Sequence, residues 1–82
     1  MKEVLKFSAS WCGPCKMLTK TIEGISDLPI PIKEIDIDEN LDMSAKYGIR
    51  GVPTLVMLEN GVEVKRKTGA LNTKQLMEFL HG

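Results

Sequence analysis

The sequence predicts an α/β fold with the element order β-α-β-α-β-β-α, a four-stranded mixed sheet in the order 2-1-3-4 and three flanking helices. Three observations predict it. Two short apolar-rich runs, Lys2 to Ser8 and Ile32 to Ile37, are separated by a stretch with apolar residues at helical spacing. Strands joined through a helix in this way are parallel, with a right-handed crossover. Asn60-Gly61 separates two further β-rich runs and is the strongest hairpin signal in the chain. Both cysteines, Cys12 and Cys15, fall where the first strand meets the first helix, which makes that junction the candidate site.

The elements follow in order. Val4, Leu5 and Phe7 mark the first strand, which runs into the small-residue segment Ser8-Ala9-Ser10. Met17, Leu18, Ile22 and Ile25 place the first helix over Gly13 to Ser26. Pro14 suits its first turn, where a missing N–H costs nothing, and Gly24 weakens its last. Pro29 and Pro31 exclude helix and central strand, so residues 27–31 are a connection. Asp38-Glu39-Asn40 can cap a short helix, Leu41 to Tyr47, that Gly48 ends. Thr54 to Leu58 is β-rich and uncharged, the pattern of a strand buried on both faces. Val62 to Thr68 returns from the hairpin, and its Lys65-Arg66-Lys67 suits a sheet edge that must not pair with other molecules. Asn72 or Thr73 caps a last helix carrying Leu76, Met77, Phe79 and Leu80. The first and last helices are expected on one face of the sheet and the middle helix on the other. Met17 and Met77 read as core filler.

Composition narrows the function. Eighty-two residues suit a single domain, 1–82. The chain is 43% hydrophobic and 27% charged, which is globular rather than disordered. No apolar stretch approaches the roughly 18 residues of a transmembrane helix. Lys plus Arg and Asp plus Glu each total 11, so charge gives no reason to expect nucleic acid or a membrane as partner. Charges interrupt Met1-Lys2-Glu3-Val4-Leu5-Lys6 too early for a signal peptide. A cytoplasmic location is therefore expected, where thiols are kept reduced and the rare disulfides are mostly catalytic.

A Cys-x-x-Cys pair at a strand-to-helix junction reads as a dithiol that closes to a disulfide and reopens. A structural disulfide over so short a loop would constrain the unfolded chain by only roughly 2 kcal/mol. Zinc wants about four ligands, and His81 at the far terminus is the only other strong candidate, so no metal is expected. Cys12 sits at or just before the helix N-terminus, where free N–H groups and the dipole favour a thiolate, the attacking species in exchange. Cys12 is expected to be the exposed thiol and Cys15 the shielded one, with Gly13 and Pro14 between them modulating the pair. Trp11, beside the nucleophile, reads as a partner contact. Lys6 has two readings: a strand lysine whose head snorkels to solvent, or a buried charge that needs a partner.

Trp11-Cys12-Gly13-Pro14-Cys15-Lys16-Met17, followed by Lys46-Tyr47-Gly48-Ile49-Arg50-Gly51-Val52-Pro53-Thr54, resembles the two hallmark segments of the thioredoxin family. Asn60-Gly61 and Thr68-Gly69-Ala70 fall at the matching later turns. The resemblance implies a thioredoxin fold, trimmed at its N-terminus to glutaredoxin-like size, and protein-disulfide reductase activity. It implies that Cys12 is the nucleophile and Cys15 the resolving thiol. It also implies a cis Val52–Pro53 bond, and a contact surface for substrate made by Trp11, Gly51, Val52, Pro53 and Gly69. No bound cofactor is implied; electrons come indirectly from NADPH through a thioredoxin reductase-like flavoprotein, and protein disulfides are the substrates. A monomer is expected. The alternatives are a glutaredoxin-like protein recycled by glutathione and a non-catalytic binding subunit of the same fold. Glutaredoxins usually carry Gly-Gly followed by acidic residues where this chain has Thr68-Gly69-Ala70-Leu71-Asn72. One departure from the family is chemical. The strand position six before the nucleophile, usually a buried aspartate, is Lys6, and the lysine of the neighbouring strand is replaced by Glu34. The two charges are expected to pair across parallel strands beneath the site, both out of water, with Lys6 nearer Cys15, so that both modulate the cysteines.

Overall fold

In the computed structural model, which describes residues 1–81 and leaves Gly82 outside, the chain forms β1 (Lys2–Ser8), α1 (Gly13–Glu23), β2 (Ile32–Asp36), α2 (Leu41–Lys46), β3 (Thr54–Glu59), β4 (Val62–Thr68) and α3 (Thr73–His81). The strands hydrogen-bond in the order β2-β1-β3-β4. β1 and β2 are parallel, and the other two pairings are antiparallel. Both the element order and the sheet order match the sequence-based expectation.

Side chains along a strand alternate between faces, and that alternation divides the core in two. Val4 of β1 with Leu55 and Met57 of β3 face Leu18 of α1 and Leu76, Phe79 and Leu80 of α3. On the opposite face, Leu5, Phe7, Ile35, Val56 and Leu58 meet Met43 and Tyr47 from α2 and its C-cap. The Phe7 and Tyr47 rings lie 5.8 Å apart. Fully burying such a side chain is worth roughly 1.5–3 kcal/mol, and β1 and β3 contribute to both halves of the core. Lys6 and Ser8 share the Val4 face by the same alternation and therefore point under α1.

Several boundaries differ from expectation for local reasons. α1 stops at Glu23 rather than Ser26, because the Ile25 N–H closes a tight turn onto the Ile22 carbonyl at 3.0 Å. β2 stops at Asp36 rather than Ile37, because the Asp36 side chain accepts the Asp38 N–H at 2.8 Å and turns the chain. Asn40 was expected among the caps of α2 but makes no cap bond; its amide donates backwards to the Asp36 carbonyl at 3.0 Å. Asn60 and Gly61 have φ of 53° and 84°, the positive values a two-residue hairpin needs. A bulge between Met57 and Leu58, where β3 pairs with β4, has no signature in the sequence. Met17 is exposed, contrary to its reading as core filler, because Leu18 and Ile22 carry the buried face of α1. Met77 does pack against the core.

Candidate active site

Cys12 is the N-cap of α1. Its backbone is extended, with φ −92° and ψ 112°, and its sulfur accepts the Cys15 N–H at 3.1 Å. A cap normally places a side-chain oxygen there; here a sulfur takes its place. The Lys16 N–H reaches the Cys12 carbonyl at 3.3 Å, and Pro14 fills the first turn without wasting a donor. Cys12 and Cys15 are joined as a disulfide across a Cα separation of 5.3 Å. When that bond opens, the N–H and the positive end of the helix dipole are already aimed at the sulfur that becomes a thiolate.

The expected contrast in exposure is absent in the disulfide form. Cys12 is 4% exposed and Cys15 2%, because Ala9, Val52 and Ile37 pack over the pair. Their surroundings differ instead. The Cys12 sulfur lies 3.7 Å from the Val52 carbonyl oxygen. Cys15 forms part of the wall of a cleft of about 250 Å³ with Ser8, Thr19 and Glu34.

The loop before β3 supplies the rim. The Val52–Pro53 peptide is cis. Thr54 Oγ1 donates to the Gly51 carbonyl at 2.7 Å, and the Gly69 N–H donates to the Pro53 carbonyl at 2.8 Å. Gly69 holds φ 106°, a conformation that side chains disfavour. Trp11 is 67% exposed, and its indole N–H donates to Asp38 Oδ2 at 2.9 Å. Between Trp11 and Ile37 on one side and Ile49, Arg50, Gly51 and Val52 on the other lies a groove of about 270 Å³. A Cβ placed on Gly13 would meet nothing within 4 Å, so the space beside the first residue of α1 is open. Trp11, Gly51 and Val52 line the groove, Val52 also packs on the cysteines, and the hydrogen bond between them ties Gly69 to Pro53.

Lys6 is buried, and its ammonium lies 3.1 Å from Glu34 Oε1. The register of β1 on β2 sets the two residues opposite each other. Burial is one-sided, however: the Lys6 side chain is 3% exposed and that of Glu34 60%. The expectation that both charges leave water is therefore corrected. β2 is an edge strand, and its outer side leaves Glu34 in solvent. The same Glu34 oxygen accepts the Ser8 hydroxyl at 2.9 Å, and the Lys6 ammonium also donates to the Thr19 hydroxyl. Thr19 in turn donates to the Cys15 carbonyl at 3.1 Å. The Ser8 and Lys6 hydrogen bonds hold the Glu34 carboxyl below its ordinary 4.5.

Sequence reasoning missed Asp38, Ser8 and Thr19. Asp38 had only its place in a polar run, and the two hydroxyls gain meaning only once α1 docks on β1. Among the described residues, no cluster of three or more His, Cys, Asp or Glu side chains could hold a metal. His81 ends α3, far in sequence from the cysteines.

Known proteins with this arrangement are numerous. The sequence model of the family "Thioredoxin" matches residues 1–82. A thioredoxin of Rickettsia bellii is 41% identical over 81 residues, covering 95% of this chain and 77% of that protein. A thioredoxin of Pseudomonas aeruginosa is 38% identical over 80 residues, covering 94% of this chain and 74% of the other. Among solved structures, a mutant thioredoxin from Halobacterium salinarum superposes with a TM-score of 0.89 at 34% identity, over 98% of this chain and 72% of that one. Fasciola hepatica thioredoxin gives 0.88 at 34% identity, over 98% and 78%. With the family model, the relatives, the sheet order and the cysteine-capped helix in agreement, the chain belongs to the thioredoxin family and is a protein-disulfide oxidoreductase whose redox centre is the Cys12–Cys15 disulfide.

Proposed function

We propose that the protein reduces protein disulfides in the cytoplasm and is itself recycled by an NADPH-dependent flavoprotein reductase. In this reading the Cys12 thiolate attacks one sulfur of a substrate disulfide. A Cys12–substrate disulfide forms, and the substrate's other sulfur leaves as a thiolate and takes a proton from solvent. Cys15 then loses its proton and attacks the Cys12 sulfur. The Cys12–Cys15 bond forms, the Cys12–substrate bond breaks, and the second substrate thiolate is protonated. Two electrons and two protons have passed to the substrate, and the reductase returns them to the protein. Trp11, Gly51, Val52, Pro53 and Gly69 hold the substrate chain around the reacting sulfurs, and Gly13 and Pro14 keep the first turn open and preformed.

The observation that carries the reading is the Cys12 sulfur acting as helix cap at 3.1 Å from the Cys15 N–H. That contact favours a thiolate on Cys12 in preference to Cys15. Recycling by glutathione is disfavoured by the start of α3. A free helix N-terminus would suit a glutathione carboxylate, but here Asn72 Oδ1 takes the Gln75 N–H at 2.8 Å and Gln75 Oε1 takes the Asn72 N–H at 3.0 Å. The test is reduction of insulin, followed by precipitation of its freed chain. Turnover is expected with NADPH and a thioredoxin reductase, and at least tenfold less with glutathione. Equal or faster turnover with glutathione would move the protein to the glutaredoxin-like alternative. Full biological function in a Cys12→Ser, Cys15→Ser double variant would make it a binding subunit.

A further inference from the structure

The segment between α2 and β3 that borders the cysteines is held by few bonds of its own. Among the described residues, one hydrogen bond reaches residues 50–52: the Gly51 carbonyl accepts the Thr54 hydroxyl at 2.7 Å. The Val52 carbonyl lies 3.7 Å from the Cys12 sulfur, but a sulfur in a disulfide has no proton to give. Gly51 has no side chain with which to pack, and a glycine backbone is the freest to move. The position of this segment therefore depends on what holds the Gly51 carbonyl.

Thr54 is firmly placed to do so. It opens β3, is 2% exposed, and is paired with Phe7 of β1 on one side and Thr68 of β4 on the other. A hydroxyl buried this deeply has no bulk water to turn to, so it keeps its protein acceptor. It also carries a single proton. With that proton given to Gly51, the Thr54 oxygen is left to accept from the Thr68 hydroxyl, 3.3 Å away. The two bonds thus run one way, from Thr68 to Thr54 to the Gly51 carbonyl. The Thr68 methyl backs the same glycine, 3.7 Å from where a Cβ on Gly51 would stand.

We infer that Thr54 is a positioning residue for the substrate chain: its buried hydroxyl fixes Gly51, and with it the Val52 backbone beside Cys12. The inference rests on the reading that Gly51 and Val52 hold the substrate. It concerns where the chain lies and not the sulfur chemistry, because the Thr54 hydroxyl bonds to neither cysteine. Without that hydroxyl the exposed Gly51 bonds to water instead, so the segment loosens while the fold persists. A loosened segment must be ordered again when a chain binds, and affinity falls accordingly. One net hydrogen bond corresponds to roughly three- to tenfold in an equilibrium constant. A small disulfide, with no chain to lay along residues 51 and 52, needs no such ordering.

The test compares wild type, Thr54→Val and Thr54→Ser, each reduced beforehand and then mixed with excess insulin or with 2-hydroxyethyl disulfide. The reaction is stopped with acid, and the oxidised protein is counted by mass spectrometry. Thr54→Val keeps the shape of the side chain and removes its hydroxyl. It is expected to raise the insulin concentration at half-maximal rate roughly three- to tenfold. The limiting rate with insulin and the rate with the small disulfide are expected to change less than about twofold, within the loss of one weak interaction. Thr54→Ser, which returns the hydroxyl, is expected to restore the insulin value. An unchanged half-maximal concentration in Thr54→Val, an equal loss toward the small disulfide, or no restoration by serine overturns the inference. Should Thr54→Val fail to fold, Thr54→Ala replaces it under the same criteria. Wild type inert toward insulin would overturn the parent reading and this inference with it; wild type active and Thr54→Val unchanged would overturn the inference alone.

Discussion

Glu34 stands at the boundary between the buried network and solvent, and its titration reports on the network. Its carboxyl is held low in the fold by the Ser8 hydroxyl first and by Lys6 next, against a smaller opposing effect of burial. A lowered carboxyl pKa stabilises the fold above the unfolded value and loses that contribution as pH falls through the folded one. Because the side chain is 60% exposed, the contribution is screened to about a few tenths of a kcal/mol. The stability gap between wild type and Glu34→Gln should therefore be small at pH 7 and shrink as pH falls below the ordinary carboxylate range through the lowered folded pKa. Thermal melts of both proteins from pH 7 down into that range check it; a gap that widens on acidification would contradict the assignment. The pairing of Glu34 with Lys6 was legible through the family resemblance, which set Glu34 on the neighbouring parallel strand opposite Lys6. The one-sided burial was not. It depends on β2 being the sheet edge and on Thr19 arriving from α1, and both are properties of docking rather than of either strand.

At the scale of elements, the two helix starts behave differently. α3 begins with Asn72 and Gln75 exchanging hydrogen bonds at 2.8 and 3.0 Å, a reciprocal cap. Asn72→Ala should cost about 1 kcal/mol, and for a chain of this length that lowers the melting temperature by roughly 4–8 °C. Chemical denaturation with an unchanged m-value checks it; full stability in the variant would show the cap to be ornamental. α2 has no such cap, and Asn40 is drawn to the Asp36 carbonyl instead. Both starts are Asn residues ahead of a helix, so residue type alone does not separate them. What separates them is the partner three residues on: Gln75 reaches back to Asn72, and Met43 cannot. Pro29 with Pro31 and Asn60-Gly61 were legible because their backbone constraints act locally. The bulge at Met57/Leu58 was not, because it arises from fitting two strands together.

At the scale of the whole molecule, two of the three strand pairings followed from the connections. A crossover through α1 sets β1 beside β2, and a two-residue hairpin sets β3 beside β4. Placing the site needed the fold. Trp11, Val52–Pro53 and Gly69 come from three separate connections; Trp11 and Val52 meet across one groove, and a hydrogen bond ties Gly69 to Pro53. Burial of the closed disulfide under Val52 and Ile37 likewise escaped the sequence, since both cover the cysteines from distant loops. The proposed division of labour, in which Cys12 attacks the substrate and Cys15 releases it, is open to test by trapping. Reduced Cys15→Ser protein mixed with a disulfide-containing protein should accumulate a conjugate linked through Cys12, seen by mass spectrometry and dissolved by dithiothreitol. Cys12→Ser should give at least tenfold less. A conjugate that forms through Cys15, or forms equally in both variants, would contradict the account.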